Sequence, residues 1–251
     1  MNMSDFLKKI WNKEGTENVV AEFEDESIEV TLPVINDYLD MEKQYRQVMF
    51  IYEAAIRQLT AKLDILKEEF RYSNDRNPIE SINSRIKSKE SIIHKMERKG
   101  IPYTLNGMLI NIHDIAGMRV VCPFKSDVYE IAKMLMNQPD LELISVKDYI
   151  ENPKENGYRS LHLIVTIQVH FSDQMRKIPV EIQLRTIAMD FWASAEHQLR
   201  YKKHRDMSEN AHRKLKKCAK LMAEADEIMD ELSKEVFEEE VSDSCVLSNE
   251  S

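Results

Sequence analysis

The sequence predicts an α/β (α+β) fold: a mixed β-sheet of about five strands flanked by helices, with long helices towards both ends. Three observations predict it. Segments of period-two alternation are interleaved with segments of helical period, and no internal repeat is visible. The 251 residues are 43% hydrophobic, which is enough apolar material for the core of one domain. Two long amphipathic stretches enclose the alternating centre.

Taken in order, residues 1–36 are acidic, with Pro33 interrupting their apolar patch, and are expected to form a flexible or loosely docked extension. Tyr45, Val48, Met49, Tyr52, Ala55, Ile56, Leu59, Leu63, Leu66 and Phe70 recur at spacings of one, three and four. They predict a long helix over about 43–72, broken by Asn74-Asp75-Arg76-Asn77-Pro78. Ser84-Arg85-Ile86-Lys87 alternates as a strand would, and Ser88 is placed to cap a helix ending at Gly100. Strands are expected at 117–122, 141–146, 158–169 and 177–185, and a helix at 127–136. From Thr186 the pattern turns helical, and a last helix is expected over about 208–237. Glu238-Glu239-Glu240 and the serine-rich end are expected to be a disordered tail.

Composition removes several classes of function. No apolar run approaches the roughly 18 residues of a membrane span, and the first residues do not have the pattern of a secretory signal. Only five glycines occur, and neither G-x-x-x-x-G-K-S/T nor G-x-G-x-x-G is present, so a glycine-loop phosphate site is not expected. Cys122, Cys218 and Cys245 are odd in number and far apart, which supports neither a disulfide framework nor a C-x-x-C metal site. A reducing cytoplasm is the expected location. The net charge of −9 is uneven: −7 over 1–45, +5 over 46–205 and −7 over 206–251. An anionic ligand is therefore expected at the centre, although acidic ends also serve solubility.

Three groups of residues carry candidate chemistry. Arg85 and Lys87 share strand parity, while Ser91, Lys95 and Arg98 stand at i, i+4 and i+7 on one helical face. Such a set suits a ligand with several phosphates; a solvated basic face has the same spacing. Asp114 precedes a strand and Glu181 lies within one. On neighbouring strands the two could bind one Mg²⁺, and Glu181 could take a proton from a hydroxyl; an exposed Glu181 paired with Arg185 is the alternative. In Lys154-Glu155-Asn156-Gly157-Tyr158-Arg159-Ser160-Leu161-His162 a turn leads into a strand. There Tyr158 could stack on a base and Lys154 could meet a phosphate, or the segment is an ordinary hairpin entry with one packed tyrosine. His113-Asp114 runs straight into a strand, which does not suit the all-helical metal-dependent phosphohydrolases.

NPIESINSRIKSKESIIHKMERKG (77–100), IHDIAGMRVVC (112–122), KDYIENPKENGYRSLHL (147–163) and VEIQLRTIAMDFWASAEHQL (180–199), in this order, resemble the small alarmone synthetases. These are the single-domain members of the RelA/SpoT superfamily, and the RelP-like branch is the more similar. The resemblance implies a nucleotidyltransferase-like synthetase fold, with a catalytic domain over 37–205 and a C-terminal helix and acidic tail over 206–251. It implies a GTP pyrophosphokinase that moves pyrophosphate from ATP to the 3′-hydroxyl of GDP or GTP, giving ppGpp or pppGpp and AMP in the stringent response. By resemblance, Arg85 and Arg119 sandwich adenine, and Lys87, Ser91, Lys95 and Arg98 hold the ATP phosphates. Asp114 and Glu181 hold Mg²⁺, with Glu181 also the base. Tyr158 stacks on guanine, Lys154 and His162 approach the acceptor's phosphates, and Gln183 and Asp190 lie near the guanine. A homotetramer is implied, with no membrane or DNA partner and no indication of RNA. The rival readings are a relative that pyrophosphorylates tRNA 3′ ends and a silent nucleotide- or RNA-binding regulator.

Overall fold

The computed structural model describes residues 38–73, 76–201 and 207–247. The expected extension over 1–36 and the last residues, 248–251, lie outside them. The elements in chain order are α1 (Tyr38–Ser73), β1 (Ser81–Ile86), α2 (Lys89–Lys99), α3 (Leu105–Asn111), β2 (Ala116–Cys122) and α4 (Lys125–Met136). They continue with β3 (Leu141–Asp148), β4 (Leu161–His170), β5 (Met175–Thr186), α5 (Ile187–Tyr201) and α6 (Glu209–Leu247). The five strands form one sheet in the order β1-β2-β5-β4-β3. β2 and β5 run parallel, and the other neighbours are antiparallel.

Strand alternation divides the sheet into two faces. Ala116, Met118 and Val120 of β2, Leu161, Leu163 and Val165 of β4, and Val180, Ile182 and Leu184 of β5 all enter one core. Val48, Tyr52, Ala55, Leu59 and Leu63 of α1 and Val128, Ile131 and Leu135 of α4 complete it. This is the apolar stripe expected of the first helix, and each buried Leu or Ile contributes roughly 1.5–3 kcal/mol. Residues of the opposite parity, among them Arg85, Arg119, His162, Glu181, Gln183 and Arg185, therefore stand on the other face.

Local chemistry sets several boundaries. The Ser88 hydroxyl accepts the Ser91 N–H at 3.3 Å and starts α2, and Gly100, with φ +66°, ends it. Thr104 caps the short α3 by accepting the Gly107 N–H at 2.9 Å. β4 begins at Leu161 rather than at Tyr158, because residues 154–158 fold on themselves: the Lys154 N–H donates to the Tyr158 carbonyl and the Gly157 N–H to the Lys154 carbonyl. The final helix runs through Glu238–Glu240 to Leu247, where a disordered tail was expected. Extending a formed helix costs far less than starting one, and Glu is a good helix former.

α6 packs on α5 and α4 through carboxylates as well as apolar groups. Asp230 accepts the Ser126 N–H in the first turn of α4 at 2.6 Å. Asp226 accepts the Thr186 hydroxyl at 2.7 Å, and that hydroxyl accepts the Met189 N–H in the first turn of α5 at 3.1 Å. The negative charge of Asp230 at the N-terminus of α4 is favoured by the helix dipole. Nearby, Arg76 forks onto the fully buried Asp127 at 2.8 and 2.5 Å, and its guanidinium lies over the rings of Phe124 and Phe237. Among the described residues no helix is long and apolar enough to cross a membrane.

Gly157 has φ +94°, and a Cβ there would lie 2.5 Å from the Ala219 Cβ of α6. Gly157→Ala combines backbone strain with overpacking, so a loss of about 3 kcal/mol is expected in urea unfolding. Burial pushes the Asp226 carboxyl up to about 6, against the pull of the Thr186 hydroxyl. The folded state then holds a proton that the unfolded state has released, so stability falls as pH rises from about 4 to about 6 and stays lower above it. Asp226→Asn keeps an acceptor for Thr186 and removes the charge. It is expected to stabilise the protein by about 1–3 kcal/mol at pH 8 and by nothing at pH 4. An equal change at both pH values would contradict this.

Candidate active site

The first part of the site forms where β1 passes into α2. Lys87 follows β1, and Lys95 lies on α2 one turn after Ser91. Both ammonium groups bind Asp114 Oδ2, Lys95 at 2.7 Å and Lys87 in an even shorter contact. Asp114 occupies the turn just before β2. Burial would raise its carboxyl, but the two lysines outweigh burial and hold it at about 2. Burial likewise lowers Lys87, and Asp114 only partly compensates. Asp114 Oδ1 is buried and takes no hydrogen bond from the described residues. Ser91 and Arg98 lie along the same helix and are exposed.

Sheet register brings the remaining candidates together. Arg85 stands opposite Gly117, which stands opposite Glu181. In the next row Arg119 faces Gln183, and Gln183 faces His162. Glu181 is not paired with Arg185: its Oε1 meets His162 Nδ1 at 3.2 Å, and its Oε2 accepts from Gln183 Nε2 at 2.8 Å. Burial acts to raise Glu181, but the His162 and Gln183 hydrogen bonds prevail and leave it below the usual range. Glu181 is therefore ionised at neutral pH.

The Tyr158 hydroxyl lies 2.8 Å from His162 Nε2, and the two rings meet edge to face. Lys154 holds its ammonium over both Tyr149 and Tyr158, 4.5 and 4.8 Å from the ring centres, and burial lowers its pKa. Asp190, in the first turn of α5, binds Arg119 at 3.2 Å and Arg185 at 3.0 Å, both through Oδ1. The structure thus links Asp190 to both the basic and the tyrosine sides of the site. Arg185 is the member that sequence reasoning missed. Its signal was the alternation Glu181-x-Gln183-x-Arg185 in an otherwise apolar strand.

Among the described residues no group of three or more His, Cys, Asp or Glu side chains forms a metal cage. The pair Asp114 and Glu181 nonetheless fits Mg²⁺, which favours one or two carboxylates completed by phosphate and water, and Asp114 Oδ1 is an oxygen still open for a ligand. A cleft of about 740 Å³, lined by Trp192, Glu196, Asn210 and Arg213 among others, opens elsewhere. Neither Asp114 nor Glu181 lines it, so chemistry rather than concavity locates the site.

Residues 84–206 match the family described as a region found in RelA/SpoT proteins. The GTP pyrophosphokinase YwaC of Bacillus subtilis is 40% identical over 209 residues, which cover 83% of this chain and all of the relative. The GTP pyrophosphokinase YjbM of the same organism is 35% identical over 197 residues, covering 78% of this chain and 92% of the relative. The crystal structure of small alarmone synthetase 1 from Bacillus subtilis bound to its product pppGpp has a TM-score of 0.72 at 36% identity, covering 77% of this chain and 98% of that one. Small alarmone synthetase 2 from the same organism has a TM-score of 0.69 at 41% identity, covering 76% and 98%. Sequence and sheet agree, and the chain belongs to the RelA/SpoT family, among its small alarmone synthetases.

Proposed function

We propose that this protein is a (p)ppGpp synthetase that moves pyrophosphate from ATP to the 3′-hydroxyl of GDP or GTP. The observation that carries this reading is the polar sheet face, where an ionised Glu181 stands in the row of Gly117 and Arg85, near an Asp114 flanked by two lysines. The planar guanidinium groups of Arg85 and Arg119 suit the two faces of adenine. Lys87 and Lys95, with Ser91 and Arg98 along the helix, hold the phosphates of ATP. Asp114 and Glu181 hold Mg²⁺, which neutralises phosphate charge when bound. Tyr158 stacks on guanine while Lys154 and His162 meet the acceptor's phosphates. Gln183 and Asp190 read the guanine edge, where a carboxylate accepts from its N–H groups.

In the reaction, the acceptor's 3′-oxygen attacks the β-phosphorus of ATP. The bond from 3′-oxygen to β-phosphorus forms as the bond from β-phosphorus to the bridging oxygen breaks. The hydroxyl proton passes to Glu181, and AMP leaves with the electron pair on its oxygen. Catalysis of this kind rests on alignment and charge neutralisation. We further propose a cytoplasmic homotetramer. Supporting assembly, Phe50, Ile65 and Tyr72 on α1 and Leu221, Ile228, Leu232 and Val236 on α6 are exposed.

With ATP labelled on the β-phosphorus and GDP, GTP and tRNA offered together, label is expected in a guanosine tetra- or pentaphosphate. Glu181→Gln is expected to cost about 10³-fold in rate, and chelation of Mg²⁺ to stop transfer. Label on tRNA alone, or on no acceptor, would refute the reading. Tyr158→Ala is expected to raise KM for the guanosine nucleotide about tenfold, with KM for ATP little changed; equal effects on both would remove the stacking role.

A further inference from the structure

Arg185 is charged yet only 5% exposed. A guanidinium donates hydrogen bonds and cannot accept them. Its Nη1 donates to Asp190, while both hydrogens of Nη2 are used, one to the Tyr158 hydroxyl at 2.7 Å and one to Gln183 Oε1 at 2.8 Å. Two chains of donors leave that single nitrogen. In the first, the Tyr158 oxygen accepts from Arg185, and the same hydroxyl meets His162 Nε2 at 2.8 Å. The other ring nitrogen, Nδ1, faces Glu181 Oε1 at 3.2 Å, and since an ionised carboxylate only accepts, Nδ1 carries the proton between them. In the second, the Gln183 amide turns its oxygen to Arg185, which turns its NH₂ to Glu181 Oε2. Both chains end as donors on the two oxygens of one carboxylate.

The backbone builds this closure. Glu181, Gln183 and Arg185 are alternate residues of β5 and share one face. His162 is the register partner of Gln183 on β4. Tyr158 reaches back from the turn at Gly157, whose positive φ folds the segment.

We propose that Arg185 is a positioning residue: acting through Tyr158 and His162 on one side and Gln183 on the other, it holds in place both donors to Glu181 and so the orientation of that carboxylate towards the acceptor hydroxyl. This rests on the role proposed above for Glu181. A cation that merely balanced Asp190 would not need two ordered donor chains to Glu181. Lysine at 185 cannot reproduce the fork that serves Asp190, Tyr158 and Gln183 together.

The test joins kinetics to spectroscopy on the full chain. Arg185→Lys is expected to lower kcat by up to about a hundredfold with KM for ATP unchanged, and to cost nothing further in a Glu181→Gln background. Tyr158→Phe, which keeps the ring, and Gln183→Met each cut one chain and leave the buried guanidinium in place. Each is expected to lower kcat severalfold, again only while Glu181 is present, so these two decide the matter should Arg185→Lys fail to fold. Long-range ¹H–¹⁵N spectra of ¹⁵N-histidine protein, assigned with His162→Gln, are expected to show a proton on Nδ1 of His162. An Nδ1 without a proton, or losses that persist undiminished without Glu181, would overturn the proposal while the synthetase reading stands. A wild type that transfers no label to a guanosine nucleotide would instead overturn the synthetase reading and the catalytic role proposed for Arg185 with it.

Discussion

The parallel pairing of β2 with β5 sets Gly117 opposite Glu181 and Arg119 opposite Gln183, and the site depends on that register. Side chains alternate along a strand, so a slip of one residue would send Glu181, Gln183 and Arg185 into the core and bring Ile182 and Leu184 out. The apolar face prevents this. Met118, Val120, Ile182 and Leu184 are almost wholly buried, and α1 and α4 hold them there. Hydrophobic burial on one side of the sheet thus fixes the geometry of charged groups on the other.

Electrostatic complementarity within the site is mostly local. Lys87 and Lys95 pair with Asp114, and Arg119 and Arg185 pair with Asp190. The positive balance of the central segment is therefore not a diffuse field. Under the proposed function, an incoming polyphosphate would meet cations already held by carboxylates, and would have to exchange partners with them. This arrangement keeps half-buried cations from standing unpaired, which would carry a large desolvation cost.

Local signals in the sequence carried far. The stripe from Val48 to Phe70, the Ser88 and Gly100 ends of α2 and the alternation of β5 are all decided by neighbours within a few residues, and each was legible. So was the place of Glu181 within a strand and of Asp114 just before one. What escaped depends on distant partners. The alternation of β5 puts Arg185 on the face of Gln183, but nothing near it in sequence announces that Tyr158, 27 positions earlier, also meets it. Nothing near Asp190 shows two arginines sharing one oxygen. The short α3 has too few turns for a periodic signal, and its Thr104 cap stands alone as a cue. The continuation of α6 was hidden by composition, since a run of three glutamates has the same polarity in a helix as in a solvated tail.

The carboxylates of α6 bear on the order in which the chain is made. α4 follows β2 and α5 follows β5, so Asp230 and Asp226 act on the elements that leave the two parallel strands. Asp230 lies 104 positions after Ser126, and Asp226 lies 40 after Thr186. On the ribosome, both helix starts emerge well before the groups that complete them. The starts of the two helices that leave the parallel pair are therefore completed by contacts that arrive late in translation, and the nascent protein passes through a stage in which its sheet and first helices have emerged but those two helix starts are not yet capped.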